Sequence, residues 1–187
     1  MQRLYKLPIQ RVVRETSDSV CIHFNLPPQL KEAFSFFPGQ YLTLESEIAG
    51  SVVRRCYSIC SRPDESPLRV AIKKVPEGVF STAACESFRE NDEISVLPPQ
   101  GGFGVALDSN NQKNYLCVAA GSGITPMISI ISSVLKEEPK SRVTLIYGNK
   151  RVATMMFRDE LCGLKNAHLQ RFHWINILSQ EEQEATV

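Results

Sequence analysis

The sequence lacks a charge excess, a long apolar run and a paired-cysteine motif, and each absence removes a class of function. Lys and Arg number 21 against 20 Asp and Glu, a formal net charge of +1. No global field therefore draws the chain to nucleic acid or to an anionic membrane, and any recognition of phosphate has to be local. The start, Met1-Gln2-Arg3-Leu4-Tyr5-Lys6, lacks the apolar core of a secretory signal. No stretch approaches the roughly 18 apolar residues of a membrane span. A soluble, cytoplasmic protein is the expectation. The cysteines (Cys21, Cys56, Cys60, Cys85, Cys117, Cys162) form neither a C-x-x-C pair nor the C-x4-C-x2-C iron–sulfur spacing. Cys56 and Cys60 would be half a metal site, but no His or Cys cluster completes it. Reduced core cysteines and no metal are expected.

What is present is material for a core: 187 residues with 43% hydrophobic content, enough for one large domain or two small ones. Up to about Val105 the chain reads as short strands at 10–15, 20–26, 41–47, 52–58, 68–74 and 93–97, each bounded by Pro, Gly, Asp or Ser. This spacing predicts an all-β antiparallel barrel. Residues 81–88 lack strand alternation and open on hydroxyls, which predicts one short helix capped there. The polar stretch 106–114 reads as a linker.

After it the periodicity changes. A continuous apolar run at 115–120 predicts a strand buried on both faces of a parallel sheet. Helix-spaced residues follow at 127–136, a strand at 142–147, a helix at 154–164 and a strand at 172–178. Strand, helix, strand, helix, strand opens a doubly wound nucleotide-binding domain. The expected division is a barrel over 1–108 and an α/β domain over 109–187.

Three short motifs carry chemistry. In Gly121-Ser122-Gly123-Ile124-Thr125-Pro126, glycines after a buried strand let backbone approach a phosphate, and Thr125 and Pro126 suit a first helical turn. The same turn also serves as an ordinary strand-to-helix connection. In Arg54-Arg55-Cys56-Tyr57-Ser58, alternation puts Arg55 and Tyr57 on one face, a cation beside an aromatic plane. A flat anionic cofactor would use both, and a surface Arg packed over a Tyr ring is the plainer alternative. In Gly78-Val79-Phe80-Ser81-Thr82, a glycine turn and two hydroxyls start a helix, which suits either a phosphate or a simple N-cap.

In this order the three motifs resemble those of the ferredoxin-NADP reductase family. Phe37-Pro38-Gly39-Gln40-Tyr41-Leu42, Pro98-Pro99-Gln100-Gly101-Gly102-Phe103, Leu145-Ile146-Tyr147-Gly148-Asn149 and Met156-Phe157-Arg158-Asp159-Glu160-Leu161 are similar to its oxygenase-reductase subgroup. The resemblance implies a flavoprotein oxidoreductase that takes hydride from NAD(P)H onto FAD and passes electrons singly to an iron–sulfur or oxygenase-type acceptor. It implies that Arg55 pairs with the FAD pyrophosphate, Tyr57 packs on the flavin ring and Ser58 donates near flavin N5, making Tyr57 and Ser58 the catalytic pair. Lys73 and Val75 would line the cofactor through their main chain, while Gly78, Phe80, Ser81 and Thr82 would cradle the pyrophosphate. Gly121, Gly123, Thr125 and Pro126 would face the nicotinamide nucleotide, with Tyr147 and Asn149 at the adenosine ribose.

Lys150 and Arg151 follow that second strand and no acidic residue does, which leans toward NADPH over NADH. Gln180 stands where many NADPH-using relatives have Arg. The family's nucleotide domain runs on to a Cys-Gly-Pro type motif, and its subgroup to a plant-type ferredoxin domain. By that measure the α/β domain is incomplete at its C-terminus. The competing expectation is an FAD-binding electron-carrier or regulatory protein without NAD(P)H activity of its own.

Overall fold

The computed structural model describes residues 3–181. Its first half is six antiparallel strands, β1 (Tyr5–Thr16), β2 (Ser19–Phe24), β3 (Tyr41–Ile48), β4 (Ser51–Ser58), β5 (Leu68–Lys73) and β6 (Glu93–Val96), in the order β4-β3-β6-β1-β2-β5. The two outer strands meet where the chain leaves β4. Ile59 bridges to Val70, and the Cys60 amide donates to the Arg69 carbonyl at 2.9 Å. That contact curls the sheet into a barrel and covers part of both edges. Alternate residues, among them Leu7, Ile9, Val20, Ile22, Leu44, Val70, Ile72 and Val96, fill the interior.

The expected strand at 10–15 is longer than its sequence pattern shows. Residues 5–8 pair with β6 and the remainder with β2, so one strand serves two neighbours in succession and passes through Pro8. The helix α1 (Val79–Glu86) begins two residues before the expected position because Gly78, not Ser81, is its N-cap. Phe80, Ala83, Ala84 and Cys85 of this helix close one end of the barrel core.

The second half is β7 (Asn114–Ala120), α2 (Ile124–Glu137), β8 (Arg142–Asn149), α3 (Arg158–Ala167) and β9 (Phe172–Leu178), with a parallel sheet in the order β7-β8-β9. Ile124, Ile128, Ile131 and Val134 of α2 and Leu161 of α3 pack on Cys117, Val143, Leu145, Tyr147 and Phe172. The helix expected at 154–164 resolves into a 3-10 turn, Val152–Thr154, and α3. Between them Met155, Met156 and Phe157 dive into the core, and Phe157 takes a left-handed φ of 59°.

Burial of β7 on both faces does not hold. Leu116 and Val118 are 67% and 60% exposed, as are Ile175 and Ile177 of β9 at 51% and 52%. Among the described residues both helices lie on one face of this sheet, and the run of apolar residues marked a strand without fixing what covers it. Cys21, Cys60, Cys85 and Cys117 are buried free thiols, whereas Cys56 and Cys162 are exposed. No helix among the described residues is long and apolar enough to cross a membrane.

The halves share a core: Cys21 of β2, Ala71 of β5 and Cys60 join the apolar cluster around α2. The inner faces of β2 and β5 fill the barrel, so these outward residues are free to dock the second half. The linker over 106–114 is held as well, through the fully buried Glu138 at the end of α2. Its carboxylate accepts hydrogen bonds from the Asp108 amide at 3.2 Å, Asn111 Nδ2 at 2.7 Å, the Tyr115 hydroxyl at 2.9 Å and Ser141 Oγ at 2.7 Å.

Candidate functional site

The end of β4, the loop before α1 and the glycine turn after β7 converge on one cavity of about 320 Å³. From the barrel it is lined by Arg55, Tyr57, Ser58, Lys73, Val75, Gly78, Phe80 and Ser81, and from the second half by Ser122 and Thr125. Alternation puts Arg55 and Tyr57 on one face of β4, and the intervening Cys56 also lines the cavity. Ser58 reaches the same cavity because β4 ends there and the chain turns toward Val70.

Among the described residues the exposed Arg55 guanidinium makes one hydrogen bond, from Nη1 to the Arg54 carbonyl at 2.8 Å. Most of its donor fork is open to an anion. The Tyr57 ring lies 5.6 Å from that of Phe80 between centroids, tilted by 39°. Burial pushes its phenol up to about 12, against the pull of Arg55, so Tyr57 acts here as a neutral aromatic surface.

On the same cavity, the first turn of α1 has no side-chain cap among the described residues. Its free N–H groups and helix dipole favour negative charge. Gly78 is required by close approach: a Cβ there would meet Ser81 Oγ at 2.4 Å and Val75 Cγ2 at 2.5 Å. The Ser81 hydroxyl binds within the turn, donating to Gly78 O at 3.1 Å and accepting the Val75 amide at 3.2 Å. Ser81 and Val75 therefore shape the turn, and the Val75 amide is already engaged.

A second cavity, of about 580 Å³, opens across the carboxyl ends of β7, β8 and β9, where doubly wound sheets bind nucleotides. Gly121, Ser122, Gly148, Asn149, Lys150, Thr154 and Ser179 line it, with Asp18 and Lys73 from the barrel. Gly121 has a φ of 51° and its Cβ position is open. A glycine there lets main chain face a ligand without a side chain between. Lys73 borders both cavities and its Nζ lies 3.4 Å from Asp18 Oδ2.

Not every expected residue reaches these cavities. Thr82, Gly123 and Pro126 line neither. Tyr147 is fully buried, and its hydroxyl donates to Gly121 O at 2.9 Å, so it holds the glycine turn from behind. Asp18, Ser122, Thr154 and Ser179 were not legible as site residues. Asp18 sits in the β1–β2 hairpin with no chemical motif around it, and only the pairing of Ser19 with Lys73 brings it to the crevice.

A barrel that offers a cation, an aromatic plane and an uncapped helix start, facing a parallel sheet with a glycine turn, is the build of a flavin- and nucleotide-binding oxidoreductase. The chain belongs to that class as a member of the oxidoreductase FAD-binding domain family, which matches residues 6–104, and the oxidoreductase NAD-binding domain family matches residues 117–187.

It is 44% identical over 181 residues to a component of the 1,2-phenylacetyl-CoA epoxidase of Escherichia coli (strain K12), covering 97% of this chain and 51% of that protein. It is 36% identical over 176 residues to the ferredoxin reductase component of 3-ketosteroid-9-alpha-monooxygenase from Rhodococcus rhodochrous, covering 90% of this chain and 48% of that one. The chain thus spans about half the length of the curated relatives it matches. The fold is that of ferredoxin-NADP+ reductase from Plasmodium falciparum, with a TM-score of 0.83 at 19% identity, over 98% of this chain and 76% of that one.

Proposed function

We propose that this chain holds FAD in the barrel-side cavity and a nicotinamide nucleotide in the crevice beside it, as the reductase part of an oxygenase system. It would take hydride from NAD(P)H, with NADPH favoured, and deliver electrons singly to an iron–sulfur or oxygenase-type protein. The barrel would end near residue 108. The observation that carries the reading is the shared cavity, which sets Arg55, Tyr57 and Ser58 against Ser122 and Thr125 of the other half.

The residues present fit FAD. Arg55 and the uncapped start of α1, with Gly78, Phe80 and Ser81, form a cradle of positive charge and N–H donors suited to a pyrophosphate. Tyr57 supplies a flat neutral surface for the ring and Ser58 a hydroxyl donor. FAD, when bound, accepts two electrons as hydride and releases them one at a time. Gly121 and Asn149 line the nucleotide crevice, Thr125 borders the barrel-side cavity next to it, and Tyr147 braces the glycine turn from behind. Lys150 lines the crevice at the end of β8, and the acidic residue that shares the crevice, Asp18, is paired with Lys73, so the Lys150 cation supports a 2′-phosphate over a free hydroxyl.

That Gly123 and Pro126 of the expected nucleotide wall line neither cavity favours a second reading. In it the chain carries FAD and relays or regulates electron flow without NAD(P)H activity of its own. Anaerobic titration of the purified, FAD-loaded chain with NADPH and NADH separates the two. Bleaching of the flavin by NADPH supports the first reading, a yellow protein that does not respond supports the second, and a chain that takes up no FAD overturns both.

A further inference from the structure

The helix α2 that starts at the nucleotide-side turn is tied to the barrel by one buried hydrogen bond in a largely apolar contact, with an exposed Lys136–Asp64 ion pair at its far end. Ser129 Oγ donates to the Ser61 carbonyl at 2.7 Å, and both serines are fully buried. Ser61 lies three residues past Ser58, on the chain that leaves β4. Ser129 lies four residues past Thr125, one turn further along the same face of α2. Thr125 and Ser58 line the same cavity, so the serine pair repeats their juxtaposition one step behind it.

Ser61 is itself held. Its Oγ accepts the Arg69 amide at 3.1 Å, and the Cys60 amide donates to Arg69 O at 2.9 Å. The Arg69 guanidinium then grips Glu160 of α3 through two bonds of 3.1 and 3.2 Å. Both helices are thus fixed to the short segment that follows Ser58. Apolar neighbours such as Ile124, Ile128 and Ala71 tolerate a slide of the helix. The serine pair does not, because a shift of one residue, about 1.5 Å, would leave a buried hydroxyl and a buried carbonyl unpaired.

We propose that Ser129 is a positioning residue: its bond to Ser61 sets where the Ser122–Thr125 wall stands relative to Ser58, and so the alignment of nicotinamide with flavin. The proposal rests on the reading that this cavity holds FAD. Ser133, one further turn along α2, provides an internal control, since its hydroxyl is buried with no hydrogen-bond partner among the described residues.

The test compares Ser129→Ala, Ser129→Thr and Ser133→Ala in the full FAD-loaded chain. Ser129→Ala is expected to keep FAD affinity within about twofold and to change the visible circular dichroism of the bound flavin. It should also lower the limiting rate of flavin reduction by NADPH about tenfold or more, the scale expected of a misplaced reactant. Ser129→Thr should restore both, and Ser133→Ala should move neither.

Equal dichroism and rates for Ser129→Ala and Ser133→Ala would overturn the proposal, and the dichroism alone decides if NADPH does not reduce the flavin. A chain that takes up no FAD overturns the functional reading instead. The tie is then read by amide exchange: faster exchange at Cys60 and Arg69 in Ser129→Ala than in Ser133→Ala supports it, and equal exchange overturns it.

Discussion

The Glu15 carboxylate of β1 accepts the backbone amide of Phe157 at 3.2 Å, joining the barrel to the left-handed residue that starts α3. Burial raises the Glu15 pKa above its usual value, and nearby Glu160 adds to the effect, while the Phe157 amide and Arg69 oppose it. A carboxyl with a raised folded pKa binds its proton more readily in the folded state. Its contribution to stability is therefore full below the unfolded value and is lost as pH rises through the folded one. Glu15→Gln keeps an acceptor for Phe157 and removes that titration. Urea unfolding between about pH 4 and 7 should show a flatter decline in stability with rising pH for the variant, and a parallel decline would show that Glu15 does not titrate this way.

Glu138 should behave in the opposite sense. Burial would raise its pKa, but hydrogen bonds from Asn111, Ser141, the Asp108 amide and Tyr115 outweigh burial and lower it. Its stabilisation is present above the unfolded value and lost as pH falls through the folded one. Glu138→Gln should lower stability at pH 7 by about 1.5–3 kcal/mol, the range for hydrogen bonds to a charged group. The difference from the unaltered chain should shrink in acid. Because the carboxylate of Glu138 holds the 106–114 linker, limited proteolysis should cut the variant there first.

How far the sequence disclosed this arrangement depended on whether the signal was local. Gly78, Gly121 and the Arg55-x-Tyr57 alternation are local demands of turn and strand geometry, and each lies on or beside the cavities where the pattern put it. Strand positions in the barrel were legible for the same reason. Ser61, Ser129 and Asp18 were not, because their roles arise from contacts with residues 68, 68 and 55 positions away along the chain. The start of α1 was misplaced because Ser81 has the chemistry of an N-cap yet spends its hydroxyl on Gly78 and Val75. The face of β7 was misread because an unbroken apolar run records hydrophobicity and not what lies against it.

The nucleotide preference should depend on Lys150. It lines the crevice at the end of β8, where a cation would meet a 2′-phosphate and gain nothing from a free hydroxyl. Lys150→Ala should raise the dissociation constant for NADPH about tenfold, the loss of one charge-assisted contact worth about 1.4 kcal/mol. Binding of NADH should be nearly unchanged. Fluorescence titration with both nucleotides checks this, and an equal loss for the two would place Lys150 at a phosphate they share.

Arg55 and Ser58 should fail in different ways although they line one cavity. The Arg55 fork is largely open and lines one cavity with an uncapped helix start, an arrangement suited to holding a pyrophosphate whether or not reduction occurs. Arg55→Ala should therefore weaken FAD binding by about 1.5–3 kcal/mol, measured by equilibrium dialysis. Ser58 ends β4 and lines the same cavity as Thr125; on the proposed reading its hydroxyl is a donor that matters most as charge develops on the reacting ring. Ser58→Ala should keep FAD bound and slow its reduction per bound flavin, measured by stopped-flow absorbance. Equal loss of flavin in the two variants, with unchanged reduction of what remains, would mean that both residues only bind and that the donor for the reacting ring lies elsewhere.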